Sequence, residues 1–150
     1  MIHGSCLCGH IAFRLDEAEI LMMNNCHCTR CRKASAAAFA TFVHVSSRDF
    51  AWIRGAGDAL GYESSPGMVR VFCGCCGLFV FWRNEEMDQM VVPAGLLDGD
   101  PRAHPEADIF TADKVPWLTL AADAVSFPAE ESEAFWQAYL ARSRNRATRA

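Results

Sequence analysis

Hydrophobic and polar positions alternate over short runs along most of this chain, with the period of half-buried strands rather than of helices. Ile11, Phe13 and Leu15 alternate with Ala12, Arg14 and Asp16. Apolar, aromatic and β-branched runs of strand length follow at 39–45, 68–72 and 78–82, with shorter ones at 89–92, 108–111 and 117–120. The runs 68–72 and 78–82 flank Cys73-Gly74-Cys75-Cys76-Gly77, which predicts a hairpin with that cluster at its tip. Ser64-Ser65-Pro66-Gly67 reads as the turn entering the hairpin, and Leu97-Asp98-Gly99-Asp100-Pro101 as a later turn. Helical signals are few. Residues 30–38 fit a short helix or turn. Residues 129–142 fit a longer helix, in which Phe135, Trp136, Tyr139 and Leu140 share a stripe. Glu130, Glu131 and Glu133 at its start and Arg142 and Arg144 at its end complement the helix dipole. The expectation is a mainly β protein: a β domain over 1–128, and a C-terminal helix and basic tail over 129–150 packed on the same domain. Trp82 and Trp117 are expected in the core.

Composition narrows the class. With 150 residues, 51% hydrophobic and 21% charged, the chain is long enough for one real core and too apolar for disorder. The first six residues lack the basic and apolar regions of a secretory leader, and the longest apolar stretch, 34–45, is broken by Ser35, Thr41 and His44. A cytoplasmic protein without a membrane span is expected. Only two residues are Lys, and four Arg sit in the tail at 142, 144, 146 and 149; removing those four takes the net charge from −4 to −8. Such a body repels phosphate backbones, so a nucleic-acid partner is not expected. The aromatic stripe of the last helix is compatible with packing in cis or across a homodimer.

The eight cysteines are Cys6, Cys8, Cys26, Cys28, Cys31, Cys73, Cys75 and Cys76. Disulfides are the alternative to weigh, but these cysteines stand in tight clusters and no leader points to an oxidising compartment. Cys6-x-Cys8 and Cys73-x-x-Cys76, each closing on a glycine, are expected to form two knuckles of a four-thiolate structural zinc site. Cys26-His27-Cys28-Thr29-Arg30-Cys31 supplies three thiolates and an open position, the pattern of a catalytic zinc. A second structural zinc with His27 or Cys75 as fourth ligand is the competing reading. His27 alternates with its neighbours, which favours a packing or supporting role over ligation. Arg30, Arg32 and Lys33 flank this cluster and are candidates to bind an anionic ligand, against the alternative of a solvated face.

Together these residues resemble the glutathione-dependent formaldehyde-activating enzyme family, also described as the CENP-V/GFA domain. The matching motifs run in order: Gly4-Ser5-Cys6-Leu7-Cys8-Gly9, then Cys26-His27-Cys28-Thr29-Arg30-Cys31-Arg32-Lys33-Ala34-Ser35. Tyr62-Glu63-Ser64-Ser65-Pro66-Gly67, Phe72-Cys73-Gly74-Cys75-Cys76-Gly77, Gly95-Leu96-Leu97-Asp98 and Lys114-Val115-Pro116-Trp117 follow. The resemblance implies a Mss4-like zinc-bound fold of several small coiled β-sheets. It implies a structural zinc on Cys6, Cys8, Cys73 and Cys76, and a functional zinc on Cys26, Cys28 and Cys31. It further implies a carbon–sulfur lyase-type activity, condensing formaldehyde with glutathione to S-(hydroxymethyl)glutathione; the partners would then be a small-molecule thiol and an aldehyde. Ala36 and Ala38 stand where Gly and Pro are usual, Asp108 where His is common, and Cys75 is an extra thiol. Two alternatives stand beside this reading. One is a non-catalytic zinc-binding interaction module. The other is a methionine-sulfoxide-reductase-like enzyme, which needs a redox pair where only Cys75 is spare.

Overall fold

The computed structural model describes residues 1–84, 86–128, 135, 137–138 and 141–142. Among them the protein is mainly β. Its strands are β1 (Ile2–Ser5), β2 (Ala12–Leu15), β3 (Met22–Cys26), β4 (Ala40–Val45), β5 (Phe50–Arg54) and β6 (Ala59–Ser65). They continue with β7 (Met68–Cys73), β8 (Phe79–Asn84), β9 (Gln89–Pro93), β10 (Asp108–Ile109) and β11 (Ser126–Phe127), and the helix α1 (Thr29–Ser35) follows β3. No helix among the described residues is long and apolar enough to cross a membrane. The chain forms two compact units, one of Met1–Ile20 and Val43–Ala103, the other of Leu21–Phe42 and His104–Ala150, the division falling inside β4.

In the first unit, β1, β2 and β5 form a small antiparallel sheet with β2 in the middle. The alternation read at 11–15 holds in part: Ile11, Phe13 and Leu15 are fully buried and Arg14 is exposed, but Ala12 is buried too. Strands β6, β7, β8 and β9 form an antiparallel meander, and the predicted hairpin is β7 paired with β8. The rings of Phe13 and Phe50 stack at 5.2 Å, and Phe50 meets Phe81 edge-on at 5.1 Å. Such pairs fill the core and fix the orientation of its side chains.

His44 is sealed in this unit, with the Gln89 amide donating to its Nδ1 at 3.3 Å. Burial lowers its pKa from 6.5 to about 3, so the folded ring stays neutral where an unfolded one takes a proton. His44 contributes its full stability above about pH 6.5, and the contribution falls by about 1.4 kcal/mol per pH unit as pH drops toward the folded value. Urea unfolding of wild type should therefore weaken more steeply between pH 6.5 and 5 than that of His44→Gln. Acid protonation of the cysteines is common to both proteins and cancels in the difference. Parallel pH profiles would contradict this account.

In the second unit, β10 lies parallel between β3 and β11, with Ile109 opposite Cys26 and Asp108 opposite Asn25. The register continues past the strand end, where the His27 N–H donates to the Ile109 carbonyl at 3.0 Å. Phe135 is helical and buried, its ring 6.5 Å from that of Phe127. Arg142, also helical, forks onto both Glu106 carboxylate oxygens at 2.7 Å and onto the Leu21 carbonyl at 2.8 Å. Gln137, Ala138 and Ala141 are helical as well, while Trp136, Tyr139, Leu140 and the three Glu of the predicted C-terminal helix lie outside the described residues.

Two expectations are corrected here. Residues 117–120 form no strand, and Trp117 is 72% exposed while Trp82 is buried as expected. Pro116 has no N–H for a ladder, the Leu118 N–H turns back to the Val115 carbonyl, and the Lys114 ammonium bonds to the carbonyls of Val115 and Leu118. A closed turn therefore replaces the strand.

Candidate metal centres and the adjoining cleft

The two cysteine groups separate as their spacing predicts. The sulfurs of Cys6, Cys8, Cys73 and Cys76 lie within 4.8 Å of one another, as do those of Cys26, Cys28 and Cys31. All are free thiols. Each group lies within a single unit of the chain.

Both knuckles of the four-cysteine group are built from backbone. In the first, the Cys6 N–H donates to the Ile11 carbonyl and the Gly9 N–H to that of Cys6; in the second, the Cys73 N–H donates to the Leu78 carbonyl and the Gly77 N–H to that of Cys73. Gly9 and Gly77 both have φ of 71°, a left-handed turn open to glycine at little cost. The turns aim N–H groups at sulfur: that of Ile11 reaches Cys6 Sγ at 3.3 Å. The Leu78 and Cys8 backbones act on Cys76 in the same way and lower its pKa to about 6. The group fits a tetrahedral metal. Four ligands at ~2.3 Å place sulfurs ~3.8 Å apart. The separations here are 3.5 Å for Cys6 to Cys8 and 3.9 Å for Cys8 to Cys73. Cys75 belongs to neither group; it is exposed and lines a separate cleft with His10, Arg54 and Asp58.

The three-cysteine group is carried by the end of β3 and the start of α1. Cys28 is the helix N-cap, its Sγ accepting the Cys31 N–H at 3.4 Å, the place usually taken by Ser or Thr. Hydrogen bonds from the thiols of Cys26 and Cys31 favour ionisation of Cys28, while the bonds of Cys26 with Cys28 and Cys31, together with burial, push Cys26 far upward. A divalent ion held by the three sulfurs would let all three ionise. Neither His27 nor Cys75 joins it as a fourth ligand. His27 is fully buried, its Nε2 bonded to Asp108 Oδ1 at 2.7 Å and its ring 5.2 Å from Phe39. Asp108, where the resemblance leads one to expect histidine, is thus the partner of the histidine between two of the cysteines.

Beside this cluster lies a cleft of about 540 Å³ lined by Cys28, Thr29, Arg30, Phe110, Ala112, Asp113 and Pro128. Of the three flanking cations, only Arg30 lines it. Arg32 turns back, its Nε donating to the His27 carbonyl at 3.1 Å and its Nη2 to Thr29 Oγ1 at 3.5 Å. Lys33 lies later on α1 and is exposed. The far wall was not singled out from the sequence. Phe110 sits just beyond β10 at φ 56°, ψ 42°, a left-handed conformation that costs a side-chain-bearing residue roughly 1–2 kcal/mol. That turn carries 111–113 into the wall of the cleft. Ala36, the C-cap of α1, is left-handed too, at φ 52°, where the resemblance leads one to expect glycine.

Fold and site define a class: mainly β proteins with one group of four and one of three cysteines placed to hold metal ions. Within that class, the family model for the glutathione-dependent formaldehyde-activating enzyme matches residues 1–113, and the chain belongs to that family. A Halomonas elongata protein named "Putative glutathione-dependent formaldehyde-activating enzyme" is 26% identical over 153 residues, covering 93% of this chain and 96% of the relative. A solved Rhodobacter sphaeroides protein superposes with a TM-score of 0.55 at 22% identity, over 67% of this chain and 92% of its own. At that identity the superposition shows a shared fold.

Proposed function

We propose that this chain is a zinc-dependent carbon–sulfur lyase-type enzyme that condenses formaldehyde, or a related aldehyde, with glutathione to S-(hydroxymethyl)glutathione. The observation that carries the reading is the three-cysteine group, one of whose members, Cys28, opens onto a cleft of ligand size. Family membership supplies the substrates as the first to test. In the reaction the thiol sulfur bonds to the aldehyde carbon, the carbonyl pair moves onto oxygen, and that oxygen takes up the proton the thiol gives. Cys26, Cys28 and Cys31 would hold the second zinc, and Cys6, Cys8, Cys73 and Cys76 the structural one. Zinc on three thiolates supplies either a deprotonated substrate thiol or a polarised aldehyde oxygen. Arg30 draws a substrate carboxylate into the cleft, and Phe110, Ala112 and Pro128 displace water from its apolar side. Arg32 supports the loop through the His27 carbonyl instead of meeting substrate. Free thiols reserved for metal fit a reducing compartment such as the cytoplasm.

Exchange NMR on formaldehyde and glutathione at equilibrium tests this directly. The rate of S-(hydroxymethyl)glutathione formation should rise in proportion to zinc-loaded protein, above the spontaneous reaction. A rate independent of protein would remove the reading.

A further inference from the structure

The cleft beside Cys28 holds two opposite charges, and among the described residues neither side chain is ion-paired or hydrogen-bonded. Arg30 and Asp113 both line it without an ion pair between them. Other charges of the same unit lie outside the cleft, and several are engaged: Arg32 with a carbonyl and Thr29, Asp108 with His27, and Glu106 with Arg142. Arg30 and Asp113 are the two charges that line the cleft, sharing it with a thiol and with apolar Phe110, Ala112 and Pro128.

This pairing of signs constrains the ligand. A purely anionic ligand drawn to Arg30 is repelled by Asp113, and a purely cationic one meets the reverse. A ligand with both signs a few atoms apart satisfies both walls. We propose that Arg30 and Asp113 bracket the α-amino-acid head of the thiol substrate, carboxylate toward Arg30 and ammonium toward Asp113. The site then selects zwitterionic amino-acid thiols over thiols that lack the ammonium. The inference rests on the proposed reading of this cleft as the thiol site and names the feature of the thiol that it recognises. Glutathione carries such a head on its γ-glutamyl residue, and Asp113 becomes the specificity-determining residue.

Calorimetric titration of the zinc-loaded full chain with glutathione and with N-acetylglutathione is the test, since acylation removes the ammonium and keeps both carboxylates and the thiol. For a charge-assisted contact at an exposed site, wild type should bind glutathione about tenfold more tightly than the acylated form. Asp113→Asn should reduce that preference to about twofold or less by weakening glutathione alone, whereas Arg30→Gln should weaken both ligands. Equal wild-type affinities, or a preference that survives Asp113→Asn, would overturn the inference. If glutathione still binds then, and Cys28→Ser abolishes it, the cleft remains the thiol site and only the head-group assignment falls. Wild type that binds neither ligand overturns both.

Discussion

Cys73→Ser is expected to abolish cooperative folding of the unit that contains it, rather than to lower its stability by an increment. Cys8 and Cys73 are 65 positions apart in sequence and 3.9 Å apart at their sulfurs. A metal ion on the four-cysteine group therefore closes a long loop, with a large entropic cost that a metal-free chain has to meet by other means. Structural zinc on thiolates is worth roughly 10–16 kcal/mol in small domains, which matches or exceeds the ~5–15 kcal/mol by which whole proteins are stable. Losing one ligand of four leaves the remaining three without a closed cage. Circular dichroism during thermal melting should show a broad, non-cooperative transition for Cys73→Ser, and the same for wild type after strong chelation. A sharp melt within a few degrees of wild type would contradict a structural role.

Cys28→Ser should do the opposite: leave the fold and remove the activity. The three-cysteine group spans Cys26 to Cys31 and closes no long loop, so little chain entropy depends on it. Serine can also take over the cap of α1, accepting the Cys31 N–H that Cys28 accepts now. The melting temperature should move by only a few degrees. The protein-dependent rate of S-(hydroxymethyl)glutathione formation should fall at least ~100-fold, as expected when a metal centre loses one of three ligands. Retained activity would remove the second zinc from the reaction. Unfolding as severe as that of Cys73→Ser would make the second group structural.

The partition of the cysteines was legible because ligand chemistry is local. Cys26-x-Cys28-x-x-Cys31 needs only a strand end and one helical turn to converge, and the two glycine-closed knuckles are each built within six residues. The β7–β8 hairpin was equally readable, since alternation and the knuckle between the strands point to the same pairing. Strand β3 was missed because Met22-Met23-Asn24-Asn25-Cys26 has neither alternation nor β-branched residues; pairing with β10 makes it a strand. The cleft wall was hidden for the same reason. Asp113 lies more than eighty positions from Cys28, and a left-handed Phe110, which no propensity favours, turns the chain to bring them to one cleft. Trp117 misled because an aromatic residue in an apolar run usually signals core, and here Lys114 and Pro116 make a turn of it.

Native mass spectrometry of wild type and Cys28→Ser, before and after addition of glutathione, tests the central claim most directly. Two zinc ions per wild-type chain, one per Cys28→Ser chain and a glutathione adduct on wild type alone are the predicted result. A single zinc in both proteins, or two zincs that neither the substitution nor glutathione affects, would contradict an open metal centre at Cys26, Cys28 and Cys31.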